Sequence, residues 1–171
     1  MSRVWAIVVC VAAACVAAAT QKAAEDPVKA LGAFLGKWHT EGTFNNGNKA
    51  HSELECRWSP QNRYLICEQA VMMANMTTHQ LTVYGYDPGK AKYSYSSFQE
   101  NAPAPSTGTL DITGKTWTYN STVENNGKKT QVRTTNEFTD PKTEVFKVTL
   151  SDDDGLSWKP VLQGTARKTA D

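Results

Sequence analysis

Histidine and cysteine are scarce in this chain, and the scarcity removes whole classes of chemistry. The three histidines, His39, His51 and His79, fall in separate segments with no thiol or carboxylate at a metal-ligand spacing, so no metal centre is expected. No serine stands in a Gly-x-Ser-x-Gly context, and no glycine-rich loop leads into a helix, which excludes the nucleophile-elbow and phosphate-cradle readings. Charge of one sign is not in excess either. The chain has 18 basic and 17 acidic side chains, and without Arg3 the count is 17 of each, so no net field favours nucleic acid or anionic lipid. The acidic run Asp152, Asp153, Asp154 before Gly155 lacks a following acidic ligand for calcium and reads as a solvated hairpin turn.

The one long apolar run, Val4 to Val16, is too short for a permanent membrane span. Preceded by Arg3 and followed by Ala17, Ala18 and Ala19, it reads as a signal peptide over residues 1–19, cleaved after Ala19, for a secreted or periplasmic protein. Lipid attachment at Cys15 is the minor alternative, because Ala12 stands where a lipoprotein site usually has leucine. Removing 19 of 171 residues leaves 152, enough for one domain with a real core. Residues 20–26 read as a flexible leader, 27–168 as the domain and 169–171 as a tail. Cys10 and Cys15 leave with the signal, and the remaining pair, Cys56 and Cys67, is expected to oxidise after export.

Asp26 as a cap, Pro27 at the first helical position, and Val28, Leu31, Phe34 and Leu35 at helical spacing predict a short amphipathic helix ending at Gly36. Its apolar stripe suits the open end of a barrel. Beyond Gly36 the pattern changes to β-branched and aromatic segments broken by Asn, Gly, Asp and Pro about every ten residues. Ten strands are predicted: Gly36 to Phe44, Ala50 to Trp58, Tyr64 to Met73, Thr77 to Tyr86, Ala91 to Gln99, Thr107 to Ile112, Thr116 to Glu124, Lys129 to Thr139, Glu144 to Ser151 and Leu156 to Lys168. Links this short imply an all-β, ten-stranded antiparallel up-and-down barrel of lipocalin-like type, closed on itself, with a short N-terminal helix. A loop closed by Ser59 and Tyr64 would set Trp58 opposite Leu65 and Cys56 opposite Cys67 at a non-hydrogen-bonded site, where a disulfide can form.

Ring-bearing residues recur at alternate positions: Tyr84 and Tyr86, Tyr93 and Tyr95, Trp117 and Tyr119. Each pair shares a face, so a hollow barrel would have a pocket walled by these six, whereas a filled barrel would use them as core. Two Asn-x-Thr triplets, at Asn75 and Asn120, matter only in a host that glycosylates.

The Gly-x-Trp opening at Gly36, Lys37 and Trp38, with Arg167 near the end, resembles lipocalin-like barrels, in which such an arginine stacks on the tryptophan of the first strand. The ordered segments FLGKWHTEGTF, CRWSPQNRYLICE, VYGYDPGKAKYSYSSF, STGTLDITGKTWTY and DDDGLSWKPVLQGTARK resemble the bacterial family of uncharacterised lipocalin-like proteins known as domain of unknown function 1579. The resemblance covers most of Leu31 to Lys168 and implies a calycin-type barrel without assigning a ligand, reaction or catalytic residue. Nitrobindins, a related ten-stranded type, bind haem through a histidine close to the chain end. No histidine follows His79 here, so neither that site nor another cofactor is expected.

These features point to an exported, monomeric barrel binding a small apolar or aromatic molecule. Two alternatives stand beside it: an isomerase or hydrolase using His79, Glu68 or Glu100 in the lumen, and a ligand-free interaction or envelope module.

Overall fold

The computed structural model describes residues 26–74, 76–125 and 127–171. The signal peptide, the Cys15 lipid site, most of the leader and Asn75 of the first glycosylation triplet lie outside them. Ten strands follow a helix: β1 Gly36–Phe44, β2 Lys49–Trp58, β3 Tyr64–Met73, β4 Met76–Asp87, β5 Lys92–Gln99, β6 Ser106–Thr113, β7 Thr116–Asn125, β8 Lys128–Asp140, β9 Thr143–Ser151 and β10 Lys159–Ala170. Each pairs antiparallel with the next, and β10 returns to β1, closing the barrel. Closure pairs every strand on both sides and leaves no edge for a second chain to extend.

The helix, Pro27–Phe34, is of the tighter 3-10 type. Asp26 caps it by accepting from Val28 N at 3.1 Å, and Leu35 N donates three residues back to Gly32 O at 3.1 Å. It plugs one end of the barrel with Leu31 and Phe34, both buried. Phe34 meets Trp117 and Phe138 edge-on, with ring centroids 4.8 and 5.1 Å apart, and its carbonyl accepts from the Trp38 indole N–H at 3.0 Å. Tyr93 Oη donates to Pro27 O at 2.8 Å and ties the start of the helix to β5.

The β2–β3 hairpin has the predicted register. Ser59 N donates to Tyr64 O at 2.9 Å, Trp58 stands opposite Leu65, and Cys56 and Cys67 form a disulfide with Cα atoms 4.1 Å apart. The final strand departs from expectation at both ends. It begins at Lys159 rather than Leu156, because Asp153 accepts from Ser157 N at 2.9 Å and Ser151 Oγ accepts from Gly155 N at 2.9 Å, folding 152–158 into a compact loop. It continues to Ala170, where Thr169 Oγ1 donates to Lys37 O at 3.2 Å, so most of the expected tail belongs to the barrel.

Candidate functional site

Alternation along the strands divides inward from outward side chains, and the helical plug divides the inward ones by depth. Next to the plug lies a packed layer of Trp38, Leu65, Leu110, Trp117, Phe138 and the disulfide. Past this layer the barrel is hollow, with a cavity of about 490 Å³. The expected six-residue aromatic wall is therefore split. Tyr84, Tyr95 and Tyr119 line the cavity and cluster with centroids 5.9 to 6.1 Å apart. Tyr86 and Tyr93 pair with each other at 4.8 Å, Tyr93 holding the helix, while Trp117 is 2% exposed beneath Phe34; none of these three reaches the cavity. Of these three, Trp117 belongs to the core, Tyr93 packs against it and Tyr86 packs against Tyr93.

Above the tyrosines the cavity has two kinds of wall. From β2 to β5 it is polar and internally bonded: Gln69 donates to Ser52 at 2.8 Å, Gln80 to Thr82 at 3.0 Å, Thr82 to Ser97 at 3.2 Å and Gln99 to Gln80 at 3.0 Å. From β9 and β10 come Phe146, Val148 and Leu162, which supply the apolar side. A lumen built this way suits a molecule with one polar and one apolar face.

Sequence reasoning missed the two most polar groups deep in the lumen. Glu144 on β9 is 4% exposed and Asn136 on β8 is 8% exposed. Asn136 Nδ2 donates to both Glu144 carboxyl oxygens, at 3.2 and 3.1 Å, while Asn136 Oδ1 has no partner among the described residues. Burial pushes the Glu144 carboxyl up to about 8, against the smaller downward pull of the Asn136 N–H, so at neutral pH it is mostly protonated. Burial also raises the Tyr84 and Tyr119 hydroxyls, with neighbouring tyrosines and Glu144 adding to the effect. A signal existed in the sequence: Glu144 keeps strand phase with Phe146 and Val148, placing a carboxylate on the inward face.

Other expectations change. Arg167 does not stack on Trp38. It stands opposite His39 and is exposed, while Lys168 is opposite the fully buried Trp38, so adjacent positions of β10 put arginine outside and lysine inside. A cation-π contact is made elsewhere, by Arg133 lying 3.9 Å over the Trp158 ring. His79, Glu68 and Glu100 are exposed and absent from the cavity wall, with Glu68 paired to Arg57 at 2.8 Å, so none can act in the lumen. Asn120, in the second glycosylation triplet, accepts from Arg133 Nε at 3.1 Å.

The histidines also have carboxylates nearer than the sequence suggested. The β1–β2 ladder sets His39 opposite Glu53 and Glu41 opposite His51 on the outer surface, and ligand atoms of His39, Glu41 and His51 lie within 4.8 Å of one another. Two imidazoles and a carboxylate form a donor set that zinc accepts, and the 2.6 Å His39 Nδ1 to Glu53 contact orients the ring as a second carboxylate does in zinc sites. The same contact raises the His39 pKa, and two cross-strand acid–imidazole pairs account for the placement without a metal. In the 152–154 run, Asp152 pairs with Lys128 at 3.3 Å and Thr130 at 2.7 Å, and Asp153 organises its own loop, so these carboxylates are engaged in holding the β9–β10 turn.

Known structures agree on the architecture. Rv2717c from M. tuberculosis is similar at 11% identity, with a TM-score of 0.58 over 84% of this chain and 98% of that one. The S-type phycobiliprotein lyase CPES from Guillardia theta is similar at 11% identity, with a TM-score of 0.51 over 84% of this chain and 93% of that one. A redesigned β-barrel, mFAP0, whose structure has DFHBI bound, aligns at 11% identity with a TM-score of 0.44, over 80% of this chain and 99% of its own. The first two likenesses speak to fold alone. No curated protein matches the chain. Among the described residues no helix is long and apolar enough to cross a membrane. The model of the family described as protein of unknown function DUF1579 matches residues 24–168, most of the chain and the whole of the barrel but its last two strand residues, and the chain therefore belongs to that family.

Proposed function

We propose that this chain is an exported binding barrel that holds a small organic molecule in its lumen, with Tyr84, Tyr95 and Tyr119 against the ligand's flat or apolar body. One observation carries the reading: about 490 Å³ of space inside the barrel lies between a polar wall and an apolar wall, beyond a tightly packed layer. A core that served stability alone would fill such a volume, because dispersion contacts are lost wherever atoms face a void. The Cys56–Cys67 disulfide supports export, since such bonds persist in oxidising compartments, and it agrees with the predicted signal peptide at residues 1–19. The closed sheet supports a monomer by leaving no strand edge free.

The test is titration with the neutral fluorescent probe N-phenyl-1-naphthylamine, together with native mass spectrometry of the purified protein. Saturable probe binding, lost in a Val148→Trp variant that fills the lumen while keeping the native circular dichroism, is the expected result. A probe that binds both proteins alike, with no co-purifying mass, refutes it. One observation favours a second reading, an acid–base enzyme in the same lumen: Glu144 is a buried carboxyl without a cationic partner among the described residues, held near neutrality. Such an enzyme would turn over a bound molecule, and Glu144→Gln would stop turnover while neutral ligands still bound.

A further inference from the structure

We propose that the depth of the lumen receives the cationic amine head of its ligand, with the Glu144 carboxylate as counter-ion and Asn136 Oδ1 as a second acceptor. The proposal rests on the binding-barrel reading and specifies the chemistry of its occupant. Both side chains line the cavity and both are more than nine-tenths buried. Asn136 has committed its N–H to Glu144, and its oxygen has no partner among the described residues. A buried acceptor left unpaired costs about as much as a lost hydrogen bond, so the site favours an occupant that brings a donor to it.

The surroundings narrow that donor. Among the described residues no lysine or arginine lines the cavity, and Glu144 is its only carboxyl. The deep end therefore offers acceptors beside the rings of Tyr84 and Tyr119, without a fixed positive charge. A carboxylate ligand would bring a third acid oxygen to this place and find no cation to neutralise it. An alcohol has a single O–H for two acceptors. A protonated amine has three N–H donors and a charge of the required sign. Phe146, Val148 and Leu162 then face the apolar body attached to it.

Binding moves one proton, and the balance is simple. In the empty lumen the Glu144 carboxyl keeps its proton, because burial opposes its charge. An arriving ammonium keeps its own protons and stabilises the carboxylate, so the Glu144 proton passes to solvent. Tyr84 and Tyr119, both close enough to feel this carboxyl, stay neutral throughout because burial raises both, and His51 borders the cavity from the exposed face of β2.

The test uses three probes with one body and different heads: 4-phenylbutylamine, 4-phenylbutanol and 4-phenylbutyrate, titrated calorimetrically into the folded protein at pH 7. The amine should bind about tenfold or more tighter than the alcohol, with the acid weakest. In two buffers of different ionisation enthalpy, amine binding should release nearly one proton and alcohol binding none. Glu144→Gln should lower amine affinity to the level of the alcohol and abolish proton release. Should that variant fail to fold, the head-group ranking and proton release of the native protein decide alone. An alcohol that binds as tightly as the amine overturns the head-group assignment and leaves the binding barrel standing, as does an acid that binds tightest. If none of the three binds, both readings fall.

Discussion

Replacing Glu144 with glutamine should flatten a pH dependence of stability that the native protein carries. The carboxyl is 4% exposed, and burial raises it from the ordinary 4.5 to about 8. Below pH 4.5 the folded and unfolded chains both hold this proton, so burial then carries no ionisation penalty. As pH rises through 4.5 the unfolded chain releases the proton while the folded chain retains it until about 8. The native state therefore binds more protons across that window, and stability falls with rising pH. At ~1.4 kcal/mol per pH unit, the fall attributable to this one group reaches roughly 5 kcal/mol by pH 8. Above pH 8 it levels off. Glutamine has nearly the same shape, keeps a carbonyl for the Asn136 N–H and does not titrate. Urea unfolding followed by tryptophan fluorescence, at pH 5, 6, 7, 8 and 9, gives stability curves for both proteins, and other titrating groups cancel in their difference. The variant should gain on the native protein steadily between pH 5 and pH 8, by several kcal/mol in all. Parallel curves would refute the argument, because they would mean that Glu144 ionises freely in the folded protein and that the deep lumen is wet.

Two further outcomes test what surrounds the cavity. The disulfide joins residues 11 apart, so Cys56→Ala with Cys67→Ala should lower stability by about 2–3 kcal/mol, read from the urea midpoint. Reductant should produce a similar drop in the native protein and none in the variant, and an unchanged midpoint would show that the bridge constrains nothing. A Cβ at Gly108 would stand 2.6 Å from Tyr95 Cζ and Oη and would also meet the Asn120 carbonyl. Gly108→Ala should therefore displace the Tyr95 ring, costing about 1–3 kcal/mol and altering probe affinity. Native near-ultraviolet circular dichroism with unchanged probe binding would show that the ring is not seated on Gly108.

The barrel was largely legible because its information is local. Turn residues such as Asn45, Asn46 and Gly47 mark the ends of hairpins, and short links leave an antiparallel meander as the simple topology. The β2–β3 register followed from one loop length, which placed Cys56 opposite Cys67. Pairings between distant segments were less legible. Trp38 and Arg167 lie at opposite ends of the chain, and the register of β1 against β10 includes a shift between Lys37 and Trp38 that no turn chemistry announces. The shift lies beyond Trp38, in a ladder that otherwise runs in one register from Phe44 opposite Leu162 to Trp38 opposite Lys168, and that register sets lysine across from the tryptophan.

The site was harder to read because period-two alternation gives direction without depth. It turns Trp117 and Tyr119 the same way, but only the docking of Leu31 and Phe34 decides that Trp117 becomes core and Tyr119 becomes wall. The same lack of depth hid Glu144. An inward carboxylate at an open barrel end meets water and keeps its charge, whereas Glu144, second residue of β9 at the plugged end, is desolvated, and strand phase does not distinguish the two. What separates them is the distance from the plug, set by how far an eight-residue helix reaches into the tube. Any change that withdrew the helix would let water reach Glu144 and return its proton affinity toward that of an ordinary carboxylate. The polarity of the binding site is thus set by the packing of Phe34 against Trp117 and Phe138, residues that carry no charge of their own.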